Sequence, residues 1–194
     1  MRFFVPEVVQ TSAMDCGPAS LRALLEGFRI PVSYGRLREA CRTDVDGTSI
    51  DTMEDVAVQL GLDAEQIMVP TDHLFLPEAR TLPAIAVVRL PNGLTHFVVV
   101  WRRIGSFVQV MDPGTGRRWT TVKRFLDEVY VHRMPVPAVG FREWAESEEF
   151  LDTLGRRLSD LGASLKEFRP KAYAEPGWRG PAALDAATRL TAAL

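Results

Sequence analysis

Chemistry in this chain has few places to come from. Of its 194 residues, two are cysteines and three are histidines. Cys16 stands in the stretch Gln10-Thr11-Ser12-Ala13-Met14-Asp15-Cys16-Gly17-Pro18-Ala19-Ser20-Leu21. Leu21, Leu24, Leu25 and Phe28 follow at i, i+3, i+4 and i+7, a spacing that predicts one apolar face of a helix. Pro18 suits the first helical position, and Gly17 or Asp15 can cap it. Cys16 then lies at, or just before, the positive end of a buried helix. That location lowers a thiol's pKa and leaves N–H groups unpaired. Both effects favour a thiolate nucleophile with an anion-stabilising pocket beside it. The competing reading of Cys16 is a small buried hydrophobe, and this stretch alone leaves both open.

His96 and Asp112 are brought to each other by a hairpin. With Arg103-Ile104-Gly105 as a three-residue connection and Gly in the left-handed position, Ile104 is the midpoint. Arg102 then faces Ser106, Val100 faces Val108, Val98 faces Val110 and His96 faces Asp112. Directly opposed residues share a sheet face with Cβ atoms about 4.5–5.5 Å apart. That is within reach of an imidazole–carboxylate hydrogen bond, and a slip of one residue would break it. Taken one at a time, His96 reads as a solvated strand-end histidine and Asp112 as a turn starter before Pro113. Together with Cys16 they form a nucleophile, a base and the group that orients the base.

The other candidates fit less well. Cys41 lies four residues after Leu37 on the same helix face and reads as core. Neither His73 nor His132 falls into a comparable register, and the alternation in Val131-His132-Arg133 turns His132 outward. No close Cys or His pair has the spacing of zinc ligands. The acidic turn Asp44-Val45-Asp46-Gly47 lacks the alternating ligands and terminal Glu of a calcium loop.

These side chains need elements to carry them. After the Cys16 helix, Ser33 ends one element and caps the next, a helix over about Tyr34 to Arg42. Thr48 or Ser49 caps a third, with Met53, Val56, Ala57 and Leu60 on its apolar face and Gly61 as its stop. Ala64 to Val69 is a short strand candidate, and Thr71 to Ala79 a loop or short helix. From Pro83 the period becomes that of strands: Ala84 to Leu90, Thr95 to Arg102, Phe107 to Met111 and Arg118 to Thr121. Pro91-Asn92-Gly93 and Asp112 to Gly116 are turns between them. Val122 to Val129 reads as a short helix and Tyr130 to Pro135 as a last strand. Helices first and an antiparallel sheet second is an α+β arrangement. Pro135-Val136-Pro137-Ala138 reads as a linker, so residues 1–137 form one domain and 138–194 a helical extension. In that extension Phe141 to Phe168 is a helix or helix pair interrupted at Gly155 and Gly162. Arg169 to Pro181 is loop, and a helix runs from Leu184 to the apolar end at Leu194.

Bulk properties exclude several classes. A net charge of −2 leaves no basic footprint for nucleic acid. Two cysteines make no disulfide framework. The N-terminus has too short an apolar run for a secretory signal, no apolar run approaches a membrane span, and there is neither an internal repeat nor a phosphate-binding Gly-x-x-x-x-Gly-Lys stretch.

Gln10 followed after four residues by Asp15-Cys16-Gly17-Pro18-Ala19-x-Leu21 resembles the cysteine motif of the bacteriocin-processing, double-glycine-leader peptidases. These are papain-like domains usually fused to the N-terminus of peptide-exporting ABC transporters. The run His96-Phe97-Val98-Val99-Val100 through Val110-Met111-Asp112-Pro113 is similar to the family's second motif. The Gly47-Thr48-Ser49 helix start and the Leu-Pro-Ala-Ile strand before the histidine are similar as well, so the resemblance spans about Val5 to Pro137. It implies a papain-like cysteine peptidase fold, with Cys16 as nucleophile, His96 as general base and then acid, and Asp112 orienting His96. Gln10 would share the oxyanion with the Cys16 N–H, and no cofactor is implied. The implied substrate is the leader peptide of a secreted ribosomal peptide, cut after a Gly-Gly-type pair. The implied partners are an exporter's transmembrane and ATP-binding domains, in the same chain or another, at the cytoplasmic face of the bacterial plasma membrane. Degenerate members of the family replace the cysteine and only bind cargo, whereas this chain keeps Cys16. Two other readings of the same residues are a leader-binding module that does not cut and a papain-like amidase or acyltransferase.

Overall fold

The computed structural model describes residues 2–77, 79–132 and 137–192. The chain divides into two units, Met1–His132 and Arg133–Leu194. In the first unit an irregular N-terminal segment leads into α1 (Cys16–Gly27), α2 (Tyr34–Ala40) and α3 (Ile50–Gln59). A 3₁₀ turn at Thr71–Phe75 precedes β1 (Ala84–Arg89), β2 (Thr95–Ile104), β3 (Phe107–Asp112) and β4 (Gly116–Thr121), and α4 (Val122–Glu128) follows. The four strands form one antiparallel meander in chain order.

Local chemistry explains the helix boundaries. Ser49 accepts the Thr52 N–H at 3.2 Å and caps α3, and Gly61 takes a left-handed turn (φ +90°) just past its end. α1 begins one residue after Asp15, so Pro18 holds its third position rather than the expected first. The first four N–H groups of a helix have no internal acceptor, so a proline there sacrifices no hydrogen bond.

The sheet is covered on both faces, as its apolar strands require. Val99, Trp101 and Met111 pack with Ala19, Ala23 and Leu24 of α1 and with Val5 and Val8. Val98, Val100, Val108 and Val110 pack with Leu74, Phe75 and Phe125. Leu21 and Leu25 of α1 face a separate cluster with Leu37, Cys41, Met53, Val56 and Ala57. α1 therefore lies between the sheet and the other two helices, which fixes the position of its N-terminus.

Several expectations are corrected. Among the described residues no strand forms over Ala64–Val69, because nothing pairs with that segment, and Ile67, Met68 and Val69 are exposed. Leu60 ends α3 and is exposed rather than core. In place of the last strand there is a single bridge, Val88 to Val129, backed by Tyr130 N–H to the Val87 carbonyl at 2.9 Å. Residues 133–135 of that expected strand, and 135–136 of the expected linker, lie outside the described residues. The β2–β3 connection is the two-residue turn Gly105-Ser106, since Ile104 pairs with Phe107. Arg102 thus faces Gln109, and not Ser106. A β-bulge at Trp101 then shifts the ladder by one, so Val100 pairs with Val110 and Val99 with Met111.

The second unit holds α5 (Phe141–Ala145), α6 (Glu148–Asp160), α7 (Leu165–Ala172) and α8 (Arg179–Ala192). Ala145, Phe150, Leu154 and Leu158 form its core, joined by Phe141, Leu151, Leu165, Phe168, Tyr173 and Leu184. Arg157 ties α6 to Asp185 of α8 at 3.0 Å. Gly155 does not interrupt α6; it lies beside Leu165, whose Cδ2 is 3.7 Å from where a Cβ would stand, an ordinary packing distance. Gly162 (φ +73°) does end that stretch. The expected loop at Arg169 to Pro181 is helical at both ends, because burying Phe168 and Tyr173 outweighs the Pro and Gly composition. Residues 193–194 of the expected terminal helix lie outside the described residues.

Candidate active site

All four sequence-predicted residues converge at one end of the sheet. α1 delivers Cys16 as its first residue, β2 delivers His96 as its second, and β3 ends on Asp112. His96 Nε2 meets Asp112 Oδ1 at 2.8 Å, and the two side chains are only 7% and 13% exposed. The Cys16 thiol lies beside His96 and the backbone N–H of Phe97, both of which favour its ionised form. With Nε2 held by Asp112, Nδ1 is the ring nitrogen left for the sulfur. Gln10 enters through its backbone: its N–H donates to the carbonyl of Pro113, the residue after Asp112, at 2.9 Å. Its side chain is half-buried, and Oε1 is buried without a hydrogen-bond partner.

Electrostatics follow from these contacts. The Asp112 hydrogen bond first, then the one to Cys16, push the His96 imidazole up to about 9 against the opposing effect of burial. Burial raises the Cys16 pKa. The hydrogen bonds from His96 and the Phe97 N–H, the charge on His96 and the Gly17 N–H together outweigh it, so the thiol lies below its ordinary value. Burial likewise opposes ionisation of Asp112, but His96, the Gly114 N–H at 2.8 Å and the Thr115 side chain hold its carboxyl below the usual range. Both shifts favour the thiolate–imidazolium pair over the neutral thiol and imidazole, and the thiolate is the form in which a cysteine attacks. Cys41 is the internal contrast: burial alone pushes it up to about 11, and it packs as core. His73 is buried in the 3₁₀ turn and His132 is exposed beside Tyr130, away from this constellation. Among the described residues no group of three or more His, Cys, Asp or Glu side chains is placed to hold a metal ion.

Sequence reasoning missed the supporting contacts. Gly17 sits so close to α3 that a Cβ would stand 2.9 Å from Thr48 Cβ and 3.0 Å from Met53 Sδ. Gly114 leaves its N–H free for Asp112 in the β3–β4 turn. Asp15, beside the nucleophile, is fully buried and paired with Arg38. Only the glycines have a sequence signal, through their adjacency to Cys16 and Asp112. The Arg38 pairing crosses 23 residues and has none.

A cysteine opening a buried helix and facing a histidine–aspartate pair on an antiparallel sheet is the arrangement of a papain-like cysteine peptidase domain. The sequence pattern of the peptidase C39 family matches residues 5–130, and the chain belongs to that family. It is 29% identical over 147 residues to the lactococcin-G-processing and transport ATP-binding protein LagD of Lactococcus lactis subsp. lactis, covering 75% of this chain and 21% of that one. It is 30% identical over 123 residues to the transport/processing ATP-binding protein ComA of Streptococcus pneumoniae strain R6, covering 63% of this chain and 17% of that one. The chain therefore spans about a fifth of the length of these curated relatives. Among solved structures, the peptidase domain of Streptococcus ComA, a bi-functional ABC transporter of a quorum-sensing pathway, superposes with a TM-score of 0.58 at 27% identity. That match covers 64% of this chain and 92% of the other. Among the described residues no helix is long and apolar enough to cross a membrane.

Proposed function

We propose that this chain is a cysteine endopeptidase that cuts a precursor peptide after a Gly-Gly-type pair, freeing the cargo from its leader. It does so as the peptidase portion of a peptide-exporting ABC transporter, at the cytoplasmic face of a bacterial plasma membrane. The observation that carries the reading is the grouping of Cys16 with the His96–Asp112 pair, bonded at 2.8 Å, with the thiol pKa lowered and the imidazole raised to about 9. Kinship with LagD and ComA, named as processing and transport proteins, supports the leader and the exporter.

In this reading the Cys16 thiolate attacks the carbonyl carbon of the second glycine. The oxygen's developing charge is taken by the Cys16 backbone N–H and the Gln10 side-chain amide. His96 is already protonated in the ion pair, so it acts first as an acid and gives its proton to the leaving amine. It then takes a proton from the water that opens the thioester, and Cys16 leaves as thiolate. Asp112 keeps the ring oriented and favours its charged form throughout.

The test is cleavage of a synthetic peptide with a helical leader, a Gly-Gly pair and a short cargo, followed by mass spectrometry. Cleavage after the second Gly by the wild type, and none by Cys16→Ala, is the expected result. Equal binding of the peptide by both proteins with no cleavage by either would overturn the reading in favour of a leader escort.

A further inference from the structure

We propose that Asp15 and Arg38 form a brace that positions the oxyanion donor Gln10 against Cys16. The inference rests on the oxyanion role given to Gln10 above. Asp15 has no exposed side-chain surface, whereas its partner Arg38, on α2, is 49% exposed. Burying a carboxylate is unfavourable unless it is paired. Its contacts indicate what offsets that penalty. Oδ1 accepts from Arg38 Nε at 2.8 Å, and Oδ2 accepts from the Thr11 hydroxyl at 2.8 Å. The Asp15 backbone N–H donates to the Ser12 carbonyl at 3.1 Å, and its own carbonyl accepts the Ala19 N–H at 3.0 Å. The buried hydroxyl of Tyr34, the first residue of α2, lies beside the same Thr11 and Asp15.

These bonds close the loop between Gln10 and Cys16, which has no regular structure and whose Thr11, Ala13 and Met14 are exposed. One end of the loop is pinned by the Gln10 N–H on the Pro113 carbonyl. The other end would be held only by its junction with α1 if Asp15 let go. Asp15 occupies the N-cap of α1, yet its side chain makes no capping bond. Pro18, at the third helical position, has no N–H to offer, so the capping role is weakened and the carboxylate turns to Thr11 and Arg38 instead. An oxyanion donor a fraction of an ångström out of place loses most of its effect, so a loop that carries one must be held rigidly.

The experiment uses the Gly-Gly peptide assay with Asp15→Asn, Arg38→Met and Thr11→Val. Thr11→Val removes a single hydrogen bond and serves if the other two variants fold poorly. Three quantities are read: kcat and KM, the rate of Cys16 alkylation by iodoacetamide, and the affinity of a peptide aldehyde. The aldehyde's carbonyl carbon bonds to Cys16 sulfur and its oxygen, taking up a proton, becomes a thiohemiacetal hydroxyl in the oxyanion site. Alkylation forms no oxyanion. The expected result is a fall in kcat of about tenfold or more with KM nearly unchanged, an equal loss of aldehyde affinity, and alkylation within about threefold of wild type. In a Gln10→Ala background the same substitutions should cost less than about threefold. Losses that add fully to Gln10→Ala, or alkylation falling in step with kcat, would overturn the brace. A Gln10→Ala variant that itself retains full kcat would instead overturn the role given to Gln10.

Discussion

Replacing Asp112 with alanine removes the acceptor that meets His96 Nε2 at 2.8 Å. That bond is the largest cause of the rise in the His96 pKa from 6.5 to about 9. The whole rise corresponds to about 3 kcal/mol in favour of the protonated ring. Cys16 supplies the second share and burial opposes both. At 7% exposure His96 is weakly screened, so losing the larger share should lower its titration by about one pH unit or more. In the proposed mechanism turnover requires a thiolate and an imidazolium together. The wild-type profile should therefore rise as Cys16 loses its proton and fall near pH 9 as His96 loses its own. In Asp112→Ala the alkaline limb should move to lower pH. The acid limb should move up, because the charge on His96 helps hold the thiolate. The plateau should fall by about 10²–10⁴ from lost orientation, by analogy with other triads.

The assay is kcat/KM for the Gly-Gly peptide from pH 5 to 10, alongside Cys16 alkylation over the same range. An alkaline limb still at about 9, with a plateau within about threefold of wild type, would refute the assignment of Asp112. Stability gives a second check. A group whose folded pKa is raised contributes stability that is full below its unfolded value and is lost as pH rises through the folded one. For His96 that window runs from about 6.5 to about 9. The gap in melting temperature between wild type and Asp112→Ala should be wider at pH 6 than at pH 9.5.

Two further outcomes follow from packing and burial. At pH 7.5 iodoacetamide should label the folded protein once, at Cys16 and not at Cys41, whose thiol is pushed up to about 11; peptide mapping reads this, and double labelling would contradict the burial of Cys41. Gly27→Ala should be among the more damaging single-methyl additions, since its Cβ would stand 2.3 Å from Trp101 Cη2. Overpacking of this kind costs about 1–3 kcal/mol, several degrees in melting temperature for a chain of this size, and Trp101→Phe should relieve part of it.

What was legible in the sequence was whatever a local pattern encodes. The i, i+3, i+4, i+7 run after Cys16 gives α1 and its buried face. Ser49 before an apolar run gives α3. The β-branched stretches with Gly93 and Gly116 at their turns give the meander. What failed depended on partners far away in the chain. Ala64–Val69 has a strand's composition and no strand to pair with. Leu60 fits its helix face but falls where the helix has already ended. Asp15 looked like a cap, and its true partner Arg38 comes from another helix. Arg169 to Pro181 looked like loop by composition, yet Phe168 and Tyr173 have a core to fill and keep the chain helical on both sides.

The pairing of His96 with Asp112 was reached through a register that the structure does not have, and the reason it survived is physical. A two-residue turn at Gly105-Ser106 sets the outer ladder so that even residues of β2 face odd residues of β3, as Arg102 faces Gln109. Continued unchanged, that ladder would put His96 and Asp112 on opposite faces of the sheet. The bulge at Trp101 inserts one residue and restores even against even from Val100 and Val110 onward. Asp112 then falls beside Val98 and diagonal to His96, a separation that a ring and a carboxylate can span. The extra residue is Trp101, fully buried against the last residue of α1, and only a glycine at 27 leaves it room. The same helix that the bulged tryptophan seats at one end carries Cys16 at the other. One irregularity in β2 therefore sets both the face on which His96 and Asp112 meet and the seat of the helix that brings the thiol to them.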